Sequence, residues 1–363
     1  MIPPTSNAMK NGMNRLGTFR SAAIAIVLGM SLSLANAQET PTPPVGYVTL
    51  HVAAGNGVSK TITALSAPLY GYAEGAGQLT GQITGVSANS LSNSSAGWTP
   101  GELSQPATPF VIKLTSGAAT GRTFLISTTT ANTATTVTLD AKDVAQGALT
   151  SLGIAVGDGY EIFPCDTLSS LFGTPETTGV EGGTSATNAD SLMIAVNGVY
   201  ETYYYNTNLN RWAKAMMGNP DATYVPLRPD SGILYSRRAA SILELTLSGR
   251  VPMTGRTVEV KDHGVTLLSQ NWPVDITLLA SGIQNIPTWT SAPSAAAADQ
   301  VQIIKKGAPH TYWFNGTSWR KQQMGFPLAD GEIIPAGSAV IIDKKGGTTE
   351  YRTLHQSTPY DLE

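Results

Sequence analysis

The sequence predicts a mostly β protein: strand-rich sandwich or barrel-like domains carrying an aromatic hairpin unit that is duplicated in tandem. Three observations lead there. First, Asp190, Gly198, Tyr203, Tyr205 and Asn206 recur 109 positions later as Asp299, Gly307, Tyr312, Phe314 and Asn315. Past a loop the spacing falls to 107, so that Trp212, Lys214, Met217, Gly218 and Pro220 recur as Trp319, Lys321, Met324, Gly325 and Pro327. A unit that keeps its aromatic and glycine spacing while its charges drift is held by packing. Second, charged residues make up only 13% of the chain, while Gly, Ser and Thr abound, a composition of strands and close turns. Third, runs such as Leu243, Leu245 and Leu247 alternate with polar neighbours, the period of a half-buried strand.

The chain opens with basic residues Lys10, Arg15 and Arg20, an apolar stretch from Ala22 to Leu34 and the small-x-small site Ala35-Asn36-Ala37. These predict a signal peptide over 1–37 and an exported protein, extracellular, at the cell surface or periplasmic. No later run reaches the ~20 apolar residues of a membrane span. Without residues 1–37 the formal charge moves from -3 to -6, which offers no electrostatic reason to bind nucleic acid. The one cysteine, Cys165, sits in an apolar run and reads as a buried structural thiol.

Along the mature chain, 38–44 is a proline-rich leader. A β-rich N-terminal domain over 45–180 follows, with strands at Val45 to Leu69, Phe110 to Leu114, Arg122 to Ser127, Thr135 to Leu139 and Gly159 to Phe163. Ala141 to Leu152 reads as a helix capped by Asp140 and ended by Gly153. Gly173 to Ala189 reads as a linker. The first aromatic unit covers 181–240, a β-rich connecting segment 241–290, and the second unit 291–363. Leu267-Leu268-Ser269 before Pro273 echoes Ala64-Leu65-Ser66 before Pro68, so the chain reads as two unequal copies, the first carrying a large insertion. Thr123 to Leu139 holds no charge and no proline, and as a strand pair it predicts edge-to-edge association.

Asn315-Gly316 predicts a two-residue hairpin turn. That places Tyr312 opposite Trp319 and, across a loop two residues longer, Tyr203 opposite Trp212, as structural cross-strand pairs. Tyr204 and Trp313 then point to the other face and, with Trp98 and Trp289, are the candidate ligand or partner contacts.

The catalytic inventory is thin. His51, His263, His310 and His355 are scattered without zinc-ligand spacing. Ser318-Trp319-Arg320-Lys321 satisfies Ser-x-x-Lys but lies on a predicted strand rather than at a helix start. Asn206-x-Asn208-x-Asn210 lacks the glycine and glutamate of a calcium loop. The sequence therefore predicts no catalytic residue, no cofactor and no metal.

The ordered set Gly121-Arg122-x-Phe124-x-Ile126, Val137-Thr138-Leu139-Asp140, Gly157-Asp158-x-Tyr160-x-Ile162-x-Pro164 and Thr167-Leu168-x-x-Leu171-Phe172, followed by the two aromatic units, resembles an uncharacterised family of exported proteins known from verrucomicrobial genomes. The resemblance implies export and a β-rich fold, and no activity. The functional expectation is a non-enzymatic structural or surface protein acting through self-association or other surface components. The alternative is a carbohydrate-binding module that stacks glycans on exposed aromatic side chains.

Overall fold

The computed structural model describes residues 44–71, 79–141, 148–196, 199–348 and 350–361. The expected signal peptide at 1–37 and the leader up to residue 43 lie outside the described residues. Among the described residues are 24 strands in antiparallel sheets. The sheets pack as sandwiches and none closes into a barrel, which decides between the two expected β architectures.

The chain begins with β1 (Val45–Val52) and β2 (Thr61–Leu65). An excursion then runs through β3 (Thr80–Gln82), β4 (Gly85–Val86), β5 (Ser90–Ser92), β6 (Ser104–Gln105), β7 (Thr108–Leu114), β8 (Thr123–Leu125), β9 (Thr136–Thr138) and β10 (Gly159–Pro164). Two short helices follow, α1 (Leu168–Phe172) and α2 (Pro175–Thr178). Next come β11 (Ser191–Val196), β12 (Val199–Asn206), β13 (Arg211–Lys214), β14 (Ile233–Arg237) and β15 (Leu243–Arg250). The last third holds β16 (Arg256–Lys261), β17 (His263–Ser269), β18 (Ile276–Thr277), β19 (Gln300–Lys305), β20 (Ala308–Phe314), β21 (Trp319–Lys321), β22 (Ile333–Ile334), β23 (Ala339–Lys345) and β24 (Tyr351–Gln356).

Two five-stranded sheets share one plan. The first runs β13-β12-β11-β14-β2 and the second β21-β20-β19-β23-β17. Each is faced by a two-stranded ribbon, β1 with β15 and β16 with β24. In β15 the leucines at 243, 245 and 247 point inward and the residues between them outward, so every second residue contributes to the core. There they meet Leu50, Leu65, Phe172, Tyr205, Trp212 and Tyr235. The second core collects Val258, Leu268, Val301, Tyr312, Trp319 and Leu354. Outer faces of the two sheets also meet, through Ala64, Leu267 and Ala339.

These pairings redraw the expected boundaries. Because β1 and β2 pair with β15 and β14, residues 45–180 do not form a body of their own. The 241–290 segment is likewise divided, β15 joining the first sandwich and β16 to β18 the second. What stands apart is the excursion from β3 to β10, with its own core around Ile112, Phe124, Val137 and Tyr160. The Gly173–Ala189 stretch is not a free linker either: Val180 and Ala189 are buried and Asp190 N donates to Glu181 O at 2.7 Å.

Of the helix expected at 141–152, residues 142–147 lie outside the described residues, and the described end is a 3₁₀ turn at Leu149–Leu152, closed by Gly153 at φ 82°. Two other local expectations change. Thr123 to Leu139 is not one long strand pair: β8 joins β7 and β9 joins β5, with a single bridge from Ile126 to Leu139. Finally, the hairpin register differs by two residues from the one expected. Tyr205 faces Trp212 and Phe314 faces Trp319, whereas Tyr203 and Tyr312 face Lys214 and Lys321.

The cause of the register change is the asparagine side chain. Asn315 Oδ1 accepts from the N–H groups of Thr317 and Ser318 at 3.0 and 2.9 Å, which closes a four-residue loop instead of a two-residue turn. Asn206 Oδ1 does the same for Asn208 and Leu209. A shift of two residues keeps every side chain on its face, so Tyr203, Tyr312, Trp212 and Trp319 remain in the cores. Each indole packs edge-on against its cross-strand ring, Tyr205 with Trp212 at 5.9 Å and Phe314 with Trp319 at 5.6 Å.

Cys165 is buried where the excursion returns to the first sandwich, packed with Tyr70, Val111 and Phe163. Its Sγ donates to Leu227 O at 3.2 Å, and burial raises the thiol pKa, so the thiol is not a ready nucleophile.

Candidate ligand-binding cleft

The excursion, the first sandwich and the second sandwich meet around a cleft of about 710 Å³. One wall is β8 with Arg122, Thr128 and Asp140 of the excursion. The second is the start of β12, Lys214 and the loop from Pro220 to Ser231. The third is the outer face of the β16–β24 ribbon with Thr257, Glu259, Lys261 and Tyr351. The excursion is fastened to this third wall where Gly121 O accepts from Thr257 N at 3.0 Å. Only glycine permits that approach, since a Cβ at Gly121 would lie 2.7 Å from Arg256 Cα, and φ there is 84°.

Four tyrosines line the cleft, of which Tyr203 is buried. Tyr200 and Tyr224 are 37% and 50% exposed, and Tyr351 is half-buried. Aromatic faces with hydroxyl groups combine apolar area with hydrogen-bonding capacity. Burial raises the Tyr200 pKa, so its hydroxyl stays protonated and able to donate.

Three of the cleft cations are paired with carboxylates. Arg122 Nη1 meets Glu259 Oε1 at 2.6 Å, Lys214 Nζ meets Glu201 Oε1 at 2.8 Å and Arg228 Nε meets Asp230 Oδ1 at 3.1 Å. Glu201 also accepts from Tyr203 Oη at 2.6 Å. The Thr223 N–H and hydroxyl hold Asp221 below the usual carboxylate range. Burial pushes Asp230 up, but the Arg228 charge and hydrogen bonds outweigh it and lower the pKa overall. Carboxylates held ionised in this way are acceptors for hydroxyl groups, not proton donors. A glycosidase general acid needs the opposite shift. Among the described residues no group of three His, Cys, Asp or Glu side chains could hold a metal ion.

None of the four residues expected to make exposed contacts lies here. Tyr204, Trp313 and Trp98 are 2%, 1% and 2% exposed, and the expectation of open stacking faces is corrected for all three. The second face of each hairpin is covered by the segment before its sheet. Ala186 and Ala189 cover Tyr204, while Ala292, Ala295 and Ala298 cover Trp313, which also packs edge-on against Phe326 at 5.3 Å. Small alanine side chains let these loops lie close against the rings. Trp98 packs on Tyr160 in the core of the excursion. Trp289 is half-buried against Trp319, with a ring separation of 5.7 Å.

The cleft tyrosines escape a sequence reading because they come from segments far apart in the chain. One signal is nonetheless present: Tyr200 shares strand parity with Tyr204, four residues before the point where the loop covers that face. No family model, no curated protein and no solved structure matches this chain.

Proposed function

We propose that this chain is an exported, non-enzymatic binding protein built from two copies of one β-sandwich unit, and that its cleft takes a neutral oligosaccharide. Tyr200, Tyr224 and Tyr351 around a space of about 710 Å³ carry the reading. That volume is within the usual range for small-ligand sites. Tyrosine rings stack on the apolar faces of sugar rings, while the carboxylates of Glu201 and Asp221 accept from sugar hydroxyls. Because Arg122, Lys214 and Arg228 are each engaged by a carboxylate, their pull on a phosphate or uronate is weakened. Export is supported by the basic and apolar opening of the sequence, and duplication by the shared strand plan.

A glycan array followed by titration calorimetry tests the proposal. A neutral oligosaccharide should bind the native protein, and Tyr224→Ala should weaken it by about tenfold or more with an unchanged circular dichroism spectrum. Binding that survives both Tyr224→Ala and Tyr200→Ala, or an array response confined to acidic glycans, overturns it.

A further inference from the structure

Among the described residues, the margins of β13, β21 and β16 are each met by backbone groups of another segment, whereas β1 has no backbone partner beyond β15. The β13 margin is closed by its own following segment, with Lys214 N donating to Pro220 O and Ala222 N to Trp212 O, each at 3.0 Å. The β21 margin is closed in the same way by Pro327 and Ala329. In the second ribbon the outer margin of β16 is met by the excursion, Thr257 N donating to Gly121 O at 3.0 Å. The counterpart of β16 in the first ribbon is β1, which pairs with β15 alone.

The free groups on β1 can be identified. Pro44 O accepts from Val251 N on the β15 side. Alternation then directs the backbone of residues 46, 48, 50 and 52 to β15 and that of Val45, Tyr47, Thr49 and His51 to the open margin. Among the described residues, no backbone hydrogen bond reaches them there. The strand has none of the usual protections. From Val45 to Val52 there is no proline, lysine, arginine or carboxylate, and the register to β15 is unbroken from Val45–Arg250 to Val52–Leu243. Val45 and Tyr47 are also 67% and 78% exposed.

We propose that β1 is a homodimer interface, in which β1 of a second copy adds antiparallel across a two-fold axis to give a continuous sheet in the order β15-β1-β1-β15. The register that overlaps the whole strand sets Tyr47 opposite Thr49 of the second copy and Val45 opposite its His51. No like charges oppose one another, so the strand is complementary to itself. An acidic or basic foreign strand would gain no ion pair from this margin except at His51, which already contacts Glu244 at 3.1 Å.

Sedimentation velocity on the purified protein should give a dimer at high micromolar concentration. Tyr47→Lys with Thr49→Lys should give a folded monomer, whereas Met324→Lys, at a fully exposed turn, should stay dimeric. Tyr47→Cys with Thr49→Cys should yield a covalent dimer on oxidation, since Cys165 is buried and cannot substitute. A monomeric native protein, a dimer that persists in the folded double-lysine variant, or a double-cysteine variant that forms no covalent dimer each overturns the proposal.

Discussion

Arg237 Nη1 donates to Asp190 Oδ2 at 2.6 Å with both side chains almost sealed from solvent. The same carboxylate accepts from Glu181 N at 2.9 Å and, through Oδ1, from Arg238 N at 2.7 Å. In the second sandwich Lys344 Nζ meets Asp299 at 2.9 Å, and Thr290 N and Lys345 N take the two backbone places at 2.8 and 2.7 Å. Each aspartate thereby ties the loop before its sheet to the end of a central strand, β14 or β23.

Breaking either pair should be costly, because Arg237 would become a buried charge without a counterion and Lys344 would keep only the more distant Asp262, at 3.8 Å. Asp190→Ala and Asp299→Ala are each expected to destabilise the protein by about 3–5 kcal/mol in urea unfolding. A loss below about 1 kcal/mol would mean that water reaches the stranded cation.

Both faces of the aromatic hairpin are packed, so substitutions on either should cost stability. Trp319→Ala and Trp313→Ala should each lose about 3–5 kcal/mol. An exposed stacking role for Trp313 would instead leave the unfolding midpoint unmoved.

Lys113 lies fully buried where β7 meets the first ribbon, donating to Thr254 Oγ1 at 2.7 Å and Tyr70 Oη at 3.1 Å, with Glu161 at 3.7 Å. Burial is the largest influence and brings its pKa from 10.5 to about 8. Between those two values the unfolded chain binds the proton more tightly than the folded one, so this residue makes stability rise with pH. The native protein should gain roughly 3 kcal/mol relative to Lys113→Met across that window. Parallel pH profiles of the two proteins would refute this.

Asp262 behaves in the opposite range. Hydroxyl groups of Thr288 and Thr348, with Arg352, hold its pKa at about 2 against an ordinary 3.8. A lowered carboxylate pKa supports the fold fully above the ordinary value and loses that support as pH falls toward about 2. Asp262→Asn should therefore flatten the acid limb of the stability profile below pH 3.8, measured by thermal unfolding.

The sequence by itself determined the β class, the recurrence of the aromatic unit and the face on which Trp212 and Trp319 lie, because these follow from period-2 alternation and residue spacing along the chain. The face survived even where the register did not, since the asparagine loops moved the pairing by two residues, a whole period. Tertiary structure decided everything that depends on a distant segment. Tyr204 and Trp313 are buried because alanine-bearing loops fold over them, and alternation along one strand carries no information about what covers its second face. Residues 45–65 belong with residues 191–250 because β1 and β2 pair across the excursion, a contact that no local pattern encodes. The cleft lies where three surfaces from separate parts of the chain meet, and so its tyrosines share no motif.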